Sequence, residues 1–436
     1  MKIKQIALAC AAALAVPMAA HAAAPTNAFD TTGALVIQMS GATAPDNFLQ
    51  TIMLGMLKPG FYKYIDNGPG TEFRAFLGEI NNTADIPASL HNQKVLFIKR
   101  SKGGSVWGVD PVARSEAIQT LKISTATNPL TGLPYCSTSN AADPAITVTC
   151  SPAGNDPAVA AANGDERVSD MGVSDVAPFM FKEPFNVEFG KTQLTTAESA
   201  ALSQRSVNTL MMGIVATAAV SDTAVISDAD YFAMLAGYQG DWSAFGVAPA
   251  AGNNVVVCRR WPGSGTQTSY NWYFHNFPCT TNGGVSGVSG EVGPARMSDS
   301  AGYGIGSLGL GDGSSAANAI GIDPAAGFTV VENSGSGDVR KCLKAAQNGG
   351  AYTFKGEGDV WHTVNFGAGG YGAVGVLSLD SQNSTSDGAE SAWFFRPQNG
   401  KGRFYRTTQD CRIGGAAGTV TDSGVCPNRA NLRNGN

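Results

Sequence analysis

Two arginines, Arg259 and Arg260, close an apolar run that begins at Val255, and four small residues, Gly263-Ser264-Gly265-Thr266, follow shortly after. Tyr270, Tyr273, Phe274 and Phe277 then recur at helical spacing. Permanent cations beside a glycine–serine turn at the mouth of a helix are the parts of an anion site. The first turn of a helix leaves N–H groups unpaired and carries partial positive charge, and glycine lets a ligand approach the backbone. Taken singly, such a loop is as readily a connector, and the arginines could hold surface carboxylates.

The elements that must position these residues follow one scheme, repeated. Ala34–Met39 reads as a strand, followed by Ser40-Gly41-Ala42-Thr43 and a helix. Pro45 and Asp46 suit the first turn of that helix, and Leu49, Ile52, Met53 and Met56 form its buried stripe. Val95–Ile98 is a second strand, with the loop Arg100-Ser101-Lys102-Gly103-Gly104 and a helix beginning at Pro111. A short strand ending in Ser174-Asp175 is a fourth instance. Alternating strands and helices with hydroxyls and glycines at strand C-ends indicate an α/β architecture, whose ligands bind beyond the carboxyl ends of the strands.

Composition limits the partners. Lys2 and Lys4, an alanine-rich apolar stretch and Ala20-His21-Ala22 make Met1–Ala22 a secretory signal peptide, too short to span a bilayer. The mature chain is therefore expected to be exported, soluble and monomeric. The 29 basic residues are outnumbered by 34 acidic ones, so a nucleic-acid partner is not expected, because such partners need a basic surface. Cys10 falls in the leader. Cys136/Cys150 and Cys411/Cys426 each bracket a short polar loop, as disulfides of an exported chain would. Cys258 and Cys279 flank the arginine loop and could close it; Cys342 is then left over, or takes Cys258 or Cys279 instead. No CxxC occurs and the remaining histidines, His91, His275 and His362, are far apart, so no metal site and no cofactor are expected. Gly304 to Gly309 reads formally as G-x-G-x-x-G, but no strand precedes it, and it is read as a loop.

Several of these motifs, in order, resemble those of the periplasmic phosphate-binding proteins of ABC transporters. Arg260-Trp261-Pro262-Gly263-Ser264-Gly265-Thr266 resembles that family's R-x-D-G-S-G-T loop, and Asp170 to Pro178 its D-F-G-A-S-D-x-P. Gly41-Ala42-Thr43-Ala44-Pro45 is similar to G-A-T-F-P, Ser101-Lys102-Gly103-Gly104 to S-S-G-G, and Met234–Trp242 to F-x-G-x-I-x-x-W. The resemblance implies a two-lobed type II periplasmic binding-protein fold with a ligand cleft between the lobes. Lobe I would comprise 26–212 with 391–436, and lobe II 213–390. Thr43, Ser101 and Asp175 would face the arginine loop across that cleft.

The resemblance also implies roles. Thr43 and Ser101 would donate hydroxyls and Ala44 its N–H; Arg260 would supply two parallel N–H bonds; Ser264, Gly265 and Thr266 would donate from the helix mouth. Asp175 would accept a proton carried by the ligand, favouring protonated phosphate over fully ionised sulfate. Its other reading is as a partner for Arg260 alone. Three features depart from the family pattern. Pro262 replaces an acidic residue that would orient the arginine, and Ala44 replaces an aromatic one. Arg100 and Lys102 add positive charge near Ser101, suiting a larger anion such as a phosphate ester or phosphonate. Long insertions cover Thr125–Arg167 and Thr280–Phe328.

The function expected is capture of phosphate or a related oxyanion in the periplasm of a Gram-negative bacterium, for an ABC permease. The alternative is a secreted or cell-surface protein that reuses the fold without transport. With no G-x-S-x-G elbow and no histidine near a candidate serine, an enzyme is not expected.

Overall fold

A computed structural model describes residues 24–66, 72–129, 132–137, 147–153, 165–188, 190–207, 212–220, 225–226, 228–275, 277, 293–304, 316–356, 360–378, 392–396 and 404–406. The expected leader at Met1–Ala22, Cys279, Cys411, Cys426 and residues 305–309 lie outside them. Two compact units are present: Met1–Ser174 with Leu194–Thr209, and Asp175–Gln193 with Leu210–Asn436.

The first unit contains β1 (Leu35–Gly41), α1 (Asp46–Gly55), β2 (Tyr62–Asp66), β3 (Phe73–Glu79), β4 (Lys94–Arg100), α2 (Asp110–Arg114), β5 (Ala117–Leu121), β6 (Thr147–Cys150), β7 (Pro152–Ala153), β8 (Glu166–Val168), β9 (Met171–Val173) and α3 (Thr196–Ala200). Its main sheet has the order β6-β2-β3-β4-β1-β9, with β1 parallel to both β4 and β9. A side-chain period of two explains why the central strand reads as an unbroken apolar run. Val95 and Phe97 join Ile37, Met39, Leu49 and Met53 on the face covered by α1. Leu96 and Ile98 join Phe73, Ala75 and Leu77 on the other. The first insertion is partly built into this sheet: β6 pairs with β2, and Cys150 is bonded to Cys136.

Three backbones meet at the carboxyl end of β1. A Cβ on Gly172 would lie 1.5 Å from the Gly108 carbonyl oxygen, and one on Gly41, whose φ is +115°, would lie 2.1 Å from that of Val173. Only residues without side chains let β1, β9 and the 3-10 turn Ser105–Gly108 approach so closely. That 3-10 turn precedes α2, so the expected helix at Pro111 is short and starts at Asp110.

The second unit contains β10 (Met212–Thr217), β11 (Val225–Ile226), α4 (Asp228–Leu235), β12 (Val256–Arg260), α5 (Gly265–His275), β13 (Ile320–Ile322), β14 (Thr329–Asn333), α6 (Ser336–Asn348), β15 (Ala351–Lys355), β16 (Trp361–Asn365), β17 (Ala373–Ser378), β18 (Ala392–Arg396) and β19 (Phe404–Arg406). The main sheet runs β11-β19-β18-β10-β17-β12-β14, and β12 is parallel to β14 and β17. A smaller sheet has the order β13-β16-β15. Val256 and Cys258 pack with Val339, Cys342 and Leu343 of α6. Val255 and Val257 pack on the opposite face with Tyr231 and Met234 of α4 and with Tyr270 of α5. Trp242, from the stretch Met234–Trp242, is fully buried here and donates its Nε1–H to the Gly372 carbonyl at 2.7 Å. β18 pairs with β10, and Asp175–Gln193 groups with the second unit.

Both architectures are mixed α/β. No helix among the described residues is long and apolar enough to cross a membrane.

Candidate functional site

Arg259 and Arg260 are neighbours on one strand and therefore point to opposite faces of the sheet. Arg259 is buried on the α4–α5 face, where its guanidinium is ion-paired with the buried carboxylate of Glu332 and donates from Nε to the Ala295 carbonyl at 3.0 Å. Arg260, only 1% exposed, lies on the α6 face. Its Nε donates to the Asn333 carbonyl at 3.2 Å and its Nη1 to the Ser336 hydroxyl at 3.3 Å.

The loop after Arg260 turns at Gly263, whose φ of +86° favours glycine, and delivers Ser264 to the start of α5. The Ser264 amide donates to the Trp261 carbonyl at 3.2 Å, and its hydroxyl accepts from the Gln267 amide at 3.4 Å. Ser264 thereby caps the helix. Thr266, in the first turn, donates its hydroxyl to the Asp175 carboxylate at 3.3 Å. The second unit thus holds five of the expected ligand-binding residues: Asp175, Arg260, Ser264, Gly265 and Thr266. A cation, a helix mouth and a carboxylate can together recognise an anion that also carries a proton.

The helix α5 differs from its expected apolar stripe. Tyr273 is exposed, Phe277 lies beyond the helix, and the buried face is mainly polar: Thr266, Gln267, Thr268, Asn271 and His275. Side-chain amides account for the burial of Gln267 and Asn271. Gln267 donates to Asn271 at 2.9 Å, and Asn271 donates to Asn186 at 2.8 Å, so polar groups that would be costly if unpaired bond to one another. Burial pushes the Tyr231 and Tyr270 phenols well above their ordinary range, which keeps them neutral.

Thr43, Ala44 and Ser101 belong to the first unit. Ala44 is buried. Ser101, at 2% exposure, donates its hydroxyl hydrogen to Asp46 Oδ2 at 2.7 Å and accepts from Lys99 Nζ at 2.9 Å. Its one proton is already directed to a carboxylate, so in this geometry the hydroxyl offers an anion no donor. Lys99 is equally hidden. Its ammonium lies 3.2 Å from Asp46 Oδ1 and donates to the carbonyls of Gly41, Ala42 and Arg100 at 3.0–3.2 Å. One buried cation therefore ties together the loops after β1 and β4 and the first turn of α1. Arg100 is turned inward rather than adding charge to the surface. Its guanidinium lies over Trp107 at 4.4 Å and Phe73 at 5.8 Å, and it donates to the Lys102 carbonyl at 2.8 Å.

Sequence reasoning missed Lys99, Asn333 and Ser336. Lys99 continues the parity of Val95 and Phe97, which places it on the buried face over α1. Ser334-Gly335-Ser336 repeats the strand–glycine–serine–helix scheme after Thr329–Asn333, a signal that was legible. Of the disulfides left open around the arginine loop, Cys258 is bonded to Cys342. Among the described residues no group of three or more His, Cys, Asp or Glu could hold a metal ion.

No protein-family model matches the chain, and no curated protein matches it. Among solved structures, a phosphate-binding protein from Stenotrophomonas maltophilia is similar over 81% of this chain, at 12% identity and a TM-score of 0.30. The match spans 63% of that structure's own length.

Proposed function

We propose that this chain is an exported solute-binding protein that captures a protonated oxyanion, phosphate or a close relative, on the loop from Arg260 to Thr266. The observation that carries the reading is the hydrogen bond from Thr266 to Asp175. It sets an acid at the first turn of a helix whose mouth also follows a buried arginine. An anion without a proton meets repulsion from that acid, whereas hydrogen phosphate can donate to it. Arg260 supplies charge, Ser264 its hydroxyl, and Gly265 and Thr266 their backbone N–H groups, the Thr266 hydroxyl hydrogen being directed to Asp175. Thr43 and Ala44 are proposed to add further donors. Ser101, its hydrogen directed to Asp46, is proposed to add an acceptor, a second preference for a ligand bearing hydrogen. The lobe organisation expected from sequence and delivery to an ABC permease belong to the same proposal.

The closed Lys99–Asp46–Ser101 network favours a second reading, a secreted or surface protein that keeps this architecture without transport. Titration calorimetry of the mature protein against phosphate, arsenate, methylphosphonate and sulfate separates the two. Binding of phosphate and arsenate with rejection of sulfate supports capture; no heat with any of the four supports the second reading.

A further inference from the structure

Resting on the oxyanion reading of Arg260, we propose that Ser336 is a positioning residue for that guanidinium, setting the direction in which the cation meets a ligand. A guanidinium is a planar fork, and its value to an oxyanion depends on where the fork points. The bond from Nε to the Asn333 carbonyl fixes one edge of the plane, and the bond from Nη1 to the Ser336 hydroxyl fixes the next. Ser336 orients without an opposing charge, unlike the carboxylate of Glu332 that holds Arg259.

The partners are themselves held. Ser336 opens α6, whose residues Val339, Cys342, Leu343 and Ala346 form the buried face of that helix. Cys342 is bonded to Cys258, two residues before Arg260 and on the same side of β12. The Tyr352 hydroxyl lies 2.8 Å from Asn333 Oδ1 and 3.1 Å from the Asp338 carbonyl, linking the strand that holds one edge of the guanidinium to the helix that holds the other. The Gly335 amide donates to the Asp338 carboxylate at 3.1 Å, closing the first turn.

The test uses the full mature chain and two readouts. In spectra of protein labelled with ¹⁵N-arginine, the Nε–H signal of Arg260 is identified by its loss in Arg260→Lys. Ser336→Ala should shift that signal and speed its hydrogen exchange, Ser336→Thr should preserve both, and Tyr352→Phe should act in the same direction as Ser336→Ala but less. In parallel, Ser336→Ala should weaken phosphate binding roughly 10-fold with Ser336→Thr restoring it, the size expected for losing one hydrogen bond to a charged group. An unchanged Arg260 signal in Ser336→Ala overturns the inference. So does parent-like phosphate affinity in that variant, which leaves the oxyanion reading standing. If the parent binds none of the four anions, the oxyanion reading falls instead, and the spectra alone decide whether Ser336 positions Arg260.

Discussion

Arg259 and Glu332 form a buried ion pair inside the second unit, one residue away from the arginine proposed to meet the ligand. The pair shows how consecutive, chemically identical residues acquire separate tasks. Glu332 also accepts from the Met297 amide at 3.3 Å, and Arg259 also donates to the Arg260 carbonyl at 2.8 Å. Removing one member strands a charge away from water, which costs about 3–5 kcal/mol, whereas replacing both with apolar residues is often nearly neutral. Glu332→Gln is expected to lower unfolding stability by about 3 kcal/mol. Arg259→Met combined with Glu332→Leu should recover most of that loss in urea titrations. A double variant no more stable than Glu332→Gln would refute the account.

Arg260→Ala should abolish most oxyanion binding measured by calorimetry, because it removes the charge-assisted contact. Asp175→Asn should leave phosphate bound while admitting sulfate, since an amide can donate where the carboxylate could only accept. Retention of full sulfate rejection in Asp175→Asn removes Asp175 from the specificity argument.

If both Asp175 and Ser101 act as acceptors, phosphate carrying two hydrogens is the preferred form. Affinity for phosphate should then rise as pH falls through the second ionisation of phosphate, over a range where the protein remains folded. Affinity that is flat or falling across that interval speaks against Ser101 as a ligand acceptor.

Glu198 gives a pH effect on stability with a definite sign. The side-chain hydrogen bond from Arg114, helped by the Thr195 amide and hydroxyl that cap α3, holds its carboxyl at about 2, below the ordinary 4.5. The folded state favours the ionised form, so the contribution is complete above about 4.5 and is lost as pH falls towards 2. Both partners are partly exposed, which keeps the effect small. Acid titration of Glu198→Gln should show a shallower loss of stability between these two values than the parent, the two differing most at neutral pH and converging towards pH 2.

Gly172→Ala should destabilise the first unit by about 3 kcal/mol or more, since the new methyl would overlap the Gly108 carbonyl and backbone cannot move aside as a side chain can. Gly55→Ala, at a helical glycine with nothing within 4 Å of the added carbon, should instead stabilise by about 0.5–1 kcal/mol. Chemical denaturation of the two variants, followed in parallel, checks both.

Much of the local structure was legible in the chain. The strand at 35–41, the stripe of α1, the strand before Arg100 and the helix after Gly263 follow from hydrophobic period and from glycine and serine at the joins. The proposal that Ser264 and Thr266 open a helix needs no more than that. The polar interior of α5 was not legible, because Asn271 is satisfied by Asn186, far away in sequence, and its composition alone resembles an exposed face.

The sequence by itself determined the alternation of strands and helices, the excess of acidic residues and the positions where a cation and hydroxyls follow a strand. Only the tertiary structure decided which arginine is spent on Glu332, that Ser101 turns its hydrogen to Asp46, and that Cys258 reaches Cys342. The reason is range. Periodicity and turn chemistry act between residues a few positions apart, whereas a buried charge or hydroxyl takes its partner from whatever strand or helix packing brings within about 3 Å.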